Sequence, residues 1–169
     1  MNTPNSILEQ RHPIPDGTVL DEIYCTVGKK LTVVEVQQLE AALVADEWDL
    51  KSRLKLLGYY FNLQDRLPEA GERQKHVLWM IHHRPDDYVC SSQTIMFSPK
   101  LKTFYAETKL AWEAAIKANP NNAAVIGNAG CSLAVLAPAI AREYLAKAVK
   151  LDPDNYNFSL RLQGLQTGE

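Results

Sequence analysis

At 169 residues and 19.0 kDa, the chain has room for one well-packed domain or a short solenoid, and not for two ordinary domains. Hydrophobic residues make up 46% and charged residues 22%, the balance of a folded protein, while a formal net charge of -2 offers phosphate backbones and anionic lipid no global attraction. Neither nucleic acid nor a membrane is an expected partner, and no apolar run approaches the ~20 residues that cross a bilayer.

Cys25, Cys90 and Cys131 are odd in number, far apart and free of any CxxC or Cys/His ligand spacing. A disulfide framework or a structural zinc is therefore not expected, and the thiols read as reduced and mostly buried. Met1 to Arg11 lacks a basic segment followed by an apolar core, so no secretory signal is expected and the cytoplasm is the expected compartment.

In chain order, Pro4, Pro13, Pro15 and Gly17 interrupt any helix, and Val19 to Val27 is weakly β-like. Residues 1–30 are accordingly expected to form an irregular N-terminal arm, and residues 31–169 a helical domain. Thr32-Val33-Val34-Glu35 has capping-box spacing, and Val36, Leu39 and Leu43 follow on one face. After Asp49 a second helix carries Leu50, Leu54, Leu57 and Phe61, and a third runs from about Ala70 to His83, closed by Arg84-Pro85.

Residues 86 to 97 hold mediocre helix formers, Cys90, Ser91, Ser92 and Thr94 among them. Ser98-Pro99 then has the pattern of a helix start, leading to Phe104, Thr108, Ala111, Trp112, Ala115 and Ile116 before Asn119-Pro120. Ile126, Ala129, Leu133 and Leu136 mark the next helix. Pro138 opens another, with a wide stripe at Ala141, Tyr144, Leu145, Ala148 and Val149. A last helix is expected from about Asn155 to Leu165. Every connection is short, which makes successive helices antiparallel neighbours.

Periodicity then links these elements. Pro85, Pro120 and Pro153 each close an apolar helix and precede a polar pair, Asp86-Asp87, Asn121-Asn122 and Asp154-Asn155, at intervals of 35 and 33 residues. Ala115-Ile116-Lys117-Ala118-Asn119-Pro120 and Ala148-Val149-Lys150-Leu151-Asp152-Pro153 resemble the closing segment of a tetratricopeptide repeat. Gly130, Ala141, Leu145 and Ala148 match its small and large packing positions, and Leu54, Leu57, Gly58 and Phe61 its first-helix signature. The resemblance covers roughly residues 32 to 166. It implies an all-α fold: a short α-solenoid of antiparallel helix pairs, about three units with a leading helix at 32–46 and a capping helix at 155–166. The middle unit departs from the pattern, since Ser98-Pro99 shortens its first helix.

The resemblance further implies a concave surface drawn from the first helix of each pair. That surface would show Lys55, Tyr59 and Asn62 on the first unit, and Gly127, Asn128, Cys131 and Ala134 on the third. Only Lys55 and Asn128 resemble the set with which some members clamp a peptide's C-terminal carboxylate, so a chaperone-tail receptor is not expected. The leading expectation is a non-catalytic adaptor that binds a protein or peptide through this groove, with Lys55, Tyr59, Asn62, Asn128 and Cys131 as contacts and no metal or cofactor.

The catalytic alternative is a pocket near Glu72, His76 and His83, where Glu72 and His76 stand one helical turn apart. HExxH is absent, however, and His82-His83-Arg84 suits the negative end of a helix dipole. A third alternative is a self-assembling protein, a homo-oligomer joined through end helices. Gly127-Asn128-Ala129-Gly130 lacks a preceding strand and a phosphate-binding Lys-Ser/Thr, so it reads as helix packing. Trp79 and Trp112 fall in apolar stripes. Trp48 sits in an inter-helix connection, where staple-like packing is favoured over partner contact.

Overall fold

In the computed structural model, residues 18–63 and 67–167 are described. Among them are eight α-helices and no strand: α1 (Thr18–Gly28), α2 (Val33–Ala45), α3 (Leu50–Asn62), α4 (Leu67–His83), α5 (Tyr105–Ala118), α6 (Ala123–Leu133), α7 (Pro138–Leu151) and α8 (Tyr156–Gln166). Three 3₁₀ segments, Tyr88–Ser91, Gln93–Ile95 and Pro99–Phe104, lie between α4 and α5. The expected all-α class is what the described residues form.

Local chemistry starts most of these helices. At α2 the capping box is present: Glu35 N–H donates to Thr32 Oγ1 at 3.3 Å, and Thr32 N–H donates to the Glu35 carboxylate at 2.7 Å. Asp49 caps α3 by accepting from Ser52 N–H at 3.1 Å. The proline-centred repeat proves to be a capping device. Asn122 accepts from Val125 N–H at 3.2 Å to start α6, and Asn155 accepts from Phe158 N–H at 3.4 Å to start α8. Asp87 does the same for Val89 N–H at 3.1 Å. There the result is one 3₁₀ turn rather than a helix, because the chain dips inward to bury Val89, Cys90, Ile95 and Phe97.

Two departures from the sequence expectations follow from packing. The irregular arm expected at residues 1–30 is helical over Thr18–Gly28, while residues 1–17 lie outside the described set. Its inward stripe is Asp21, Cys25 and Gly28, a helical spacing that carries almost no hydrophobic signal. Ser98-Pro99 opens a 3₁₀ segment instead of an α-helix: Ser98 makes no side-chain cap, Leu101 leaves helical geometry, and α5 begins at Tyr105.

Helix α3 contributes to two separate core clusters. On one side Leu54 and Leu57 join Val77, Met80, Ile81, Ile95, Leu101 and Trp112. On another, Leu56 and Tyr60 meet Val36 and Leu43 of α2. Phe61, expected in the core stripe, is only half-buried and lies within cation–π range of Lys29 and Arg73. Helix α1 crosses α3 so closely that a Cβ added to Gly58 would stand 1.9 Å from the Cys25 carbonyl oxygen, and one added to Gly28 would stand 1.9 Å from that of Lys55. The two backbones touch through reciprocal glycines.

Farther along, α6 and α7 pack with Gly130 against Ala141 and Leu145, and Phe158 of α8 lays its ring over Gly127. Ala141, Leu145 and Ala148 are fully buried, as their match to the packing positions implies.

Candidate functional site

The five residues expected to share a concave surface stand on two helices. Lys55, Tyr59 and Asn62 lie on α3, Asn128 and Cys131 on α6. Lys55 is half-buried beside α1. Tyr59 packs edge-on against Tyr60, with ring centroids 5.3 Å apart, and Asn62 is exposed. Cys131 is fully buried, and burial pushes its thiol up to about 11. Asn128 is spent on the fold: its amide donates to the carbonyls of Pro85 and Asp87, each at 2.9 Å, holding the 84–91 segment against α6. The α6 face expected to be open is covered by that segment and by α8.

Glu72, His76 and His83 are engaged separately. Glu72 pairs with Lys75 at 2.7 Å on the surface. His76 is buried between two partners, Glu40 at 3.0 Å from Nε2 and Arg53 Nη1 at 3.1 Å from Nδ1. A guanidinium only donates, so Nδ1 accepts and Nε2 carries the hydrogen toward Glu40. Tyr60 also donates to Glu40, at 2.8 Å, and Arg53 reaches the Glu47 carbonyl at 2.7 Å. Burial acts to raise the Glu40 carboxyl, but the hydrogen bonds from His76 and Tyr60 prevail and hold it below its usual range. Burial draws Arg53 down to about 10. His83 sits against Trp48 and Trp79, at 4.9 and 4.8 Å between centroids. This network fastens α2, α3 and α4 together. Among the described residues, no group of three His, Cys, Asp or Glu is placed to hold a metal.

A more open site forms where α1, the 84–94 segment, α6 and α8 converge. Two hollows, of about 310 and 330 Å³, adjoin and share Tyr88, Ser91 and Asn157 as common wall. The first is lined by Asp21, Arg84, Asp86, Asp87, Asn128, Asn155 and Phe158; the second by Glu22, Cys25, Lys29, Phe61, Gln93 and Arg161. Tyr88 is 39% exposed and lines both hollows. On the opposite wall the Asn157 amide donates to Ser91 Oγ at 3.3 Å.

The first hollow holds a carboxyl pair. Beside Asp21, Asp87 accepts from Arg84 Nε at 3.0 Å and from Val89 N–H at 3.1 Å. Burial, then the charge of Asp87 and the hydrogen bond to it, push the Asp21 carboxyl up to about 7 against the opposing pull of Arg84. Tyr88 is raised as well, by burial first and by Glu22 second.

Of the residues singled out in the sequence, Asn128 alone among the five expected contacts lines these hollows. Asp21, Glu22 and Lys29 were missed because they belong to the stretch expected to be irregular. Asp87 and Asn155 carried a usable signal, since each is the cap residue that follows a helix-closing proline. No helix among the described residues is long and apolar enough to cross a membrane. The chain shows no significant match to any protein-family model, curated protein or solved structure.

Proposed function

We propose that this protein is a non-catalytic interaction adaptor of the tetratricopeptide-like kind, and that it holds an extended segment of a partner protein in the groove formed by α1, the 84–94 segment, α6 and α8. The observation that carries this reading is the pair of adjoining hollows with Tyr88, Ser91 and Asn157 in common, an arrangement that suits a short extended peptide better than one compact small molecule. Amide and hydroxyl groups of Ser91, Asn155 and Asn157 in their walls are of the type that both donates to and accepts from a peptide backbone. Of the walls, α1 is held to α3 by close backbone contact and the 84–91 segment to α6 by the Asn128 amide, which favours a preformed groove whose binding loses little entropy to ordering. Three buried, free thiols fit a reducing compartment, and we place the protein in the cytoplasm.

The test is selection from a random short-peptide library, followed by affinity measurement on the parent and on Asn157→Trp, which places an indole in the groove wall. Peptides that bind the parent and lose at least tenfold with the filled groove support the reading. A folded Asn157→Trp variant that binds every selected peptide as well as the parent refutes it.

A further inference from the structure

The two hollows differ in how their cations are engaged. In the first, Arg84 is tied to Asp87 at 3.0 Å. The second is lined by two cations, Lys29 and Arg161, with Glu22 as the one acid among its described lining residues. Neither cation forms an ion pair or a side-chain hydrogen bond among the described residues. Lys29 lies over the Phe61 ring, 5.6 Å from its centroid, a contact that steadies the side chain without neutralising it. The described lining therefore carries one positive charge in excess of its acid.

Neutral groups of the same hollow favour the same kind of ligand. Ser92 Oγ accepts from Thr94 N–H at 3.3 Å, which leaves its own hydrogen to donate. The Gln93 amide and the Thr26 hydroxyl make no side-chain hydrogen bond among the described residues. Spare donors and a single surplus positive charge suit one carboxylate, which only accepts and carries one negative charge. A phosphoryl group, with a charge of about −2, would reverse the sign of the hollow. The methylenes of an acidic side chain also find apolar neighbours in Phe61 and Val89, which line the same hollow.

Resting on the reading of this groove as a peptide site, we propose that the hollow of Lys29 and Arg161 receives an Asp or Glu side chain of the bound segment. The two cations are its counter-charges, and the donors of Ser92 and Gln93 complete its hydrogen bonding. Charge complementarity of this kind sets specificity and association rate more than raw affinity, and weakens with salt.

The experiment uses four libraries of short, C-terminally amidated peptides, random in uncharged residues around a fixed central Glu, Gln, phosphoserine or Arg. The tightest members of each are measured on the intact protein by fluorescence anisotropy at low salt. Glu members are expected to bind about tenfold more tightly than Gln or Arg members, and no less tightly than phosphoserine members. Lys29→Glu and Arg161→Glu should each abolish that preference, and the double reversal should turn it toward Arg, while Lys29→Arg keeps it. Circular dichroism confirms that each variant is folded. The proposal is overturned by tighter binding of phosphoserine, by binding that requires a free C-terminal carboxylate, or by a Glu preference that survives both reversals. If Gln members bind as well as Glu members and still lose binding on Asn157→Trp, the groove reading stands and only the carboxylate fails. If no peptide responds to Asn157→Trp, both fail.

Discussion

Helices α3 and α6 are both enclosed on nearly every side, and they reach that state by opposite means. Every residue of α6 from Val125 to Leu133 is buried, and its neighbours approach because side chains are small: Phe158 over Gly127, Leu145 and Ala141 against Gly130. Helix α3 buries Arg53 and Tyr60 beside its leucines, and a polar network joins it to α2 and α4 through Glu40 and His76. On the adjoining α4, Arg73 is fully buried, its guanidinium donating to the carbonyls of Thr94 and Met96 and lying over the Phe97 ring at 4.6 Å. The small-residue packing is tight without specific pairing. The region built on buried cations is held by directed bonds from Arg53 and Arg73, although Arg53 Nε and Arg73 Nη1 are buried without an acceptor.

The comparison predicts unequal responses to substitution. The largest belongs to Arg73→Leu, which strands the Thr94 and Met96 carbonyls in the interior. It should cost about 3–4 kcal/mol, measured by urea denaturation. A loss under about 1 kcal/mol would mean that those carbonyls find other donors and that the network is dispensable.

Glycine contacts divide in the same way. An added methyl at Gly58 meets the backbone oxygen of Cys25 at 1.9 Å, whereas at Gly130 the nearest atom is the Leu145 Cγ at 2.7 Å and the nearest backbone atom, the Ala141 oxygen, stands at 3.1 Å. Gly58→Ala should therefore cost roughly 2–3 kcal/mol and release α1 to hydrogen exchange, and Gly130→Ala nearer 1 kcal/mol. Ala141→Leu, which overpacks a fully buried site, should cost about 1–3 kcal/mol. Equal losses for Gly58→Ala and Gly130→Ala would erase the distinction between backbone and side-chain contact.

Acidity offers a smaller, signed test at the groove. Folding raises the Asp21 carboxyl from 3.8 to about 7, so between those values the native state holds a proton that the unfolded chain has released. Its contribution to stability is thus greatest at low pH, declines as pH rises from about 4 to 7, and is flat above. Asp21→Asn should stabilise the protein by about 1–2 kcal/mol at pH 8 and flatten this limb of the profile. Glu40 runs the other way, since its lowered carboxyl stabilises at neutral pH and loses that effect on acidification. Thermal melts of parent and Asp21→Asn across this range decide the sign, and a slope unchanged by the substitution would remove Asp21 as its source.

The smallest expected effect concerns Lys55 and Asn62, the two residues of the expected concave face with the least structural engagement. Lys55→Ala and Asn62→Ala should change stability by no more than about 0.5 kcal/mol and leave binding of groove-selected peptides intact. Weaker peptide binding would move the contact surface back to α3.

How much was legible in the sequence depended on what carried the signal. Helix starts with local chemistry could be read directly: Thr32 with Glu35, and the polar residues after Pro120 and Pro153, need only their own neighbours to satisfy the exposed N–H groups. Small residues at Gly130, Ala141 and Ala148 matched a known packing pattern and lie where helices meet. Helix α1 was missed although Leu20, Ile23, Tyr24 and Val27 stand at helical spacing, because the prolines before it and its β-branched residues read as an irregular or strand-like arm. Its buried stripe of Asp21, Cys25 and Gly28 carries little hydrophobicity. Asp21 is tolerable inside only beside Asp87 and Arg84, and Gly28 is informative only against Lys55 of α3.

The groove was hidden for the same reason. Its walls draw on four parts of the chain, from Asp21 to Arg161, and no local pattern announces that these positions meet. Asn128 shows the division within one residue. The sequence alone determined that it lies on an apolar helix between two glycines. Only the tertiary structure turned it from an expected contact for a partner into the clamp on Pro85 and Asp87, because a buried amide must pair with whichever carbonyls the packing brings to it.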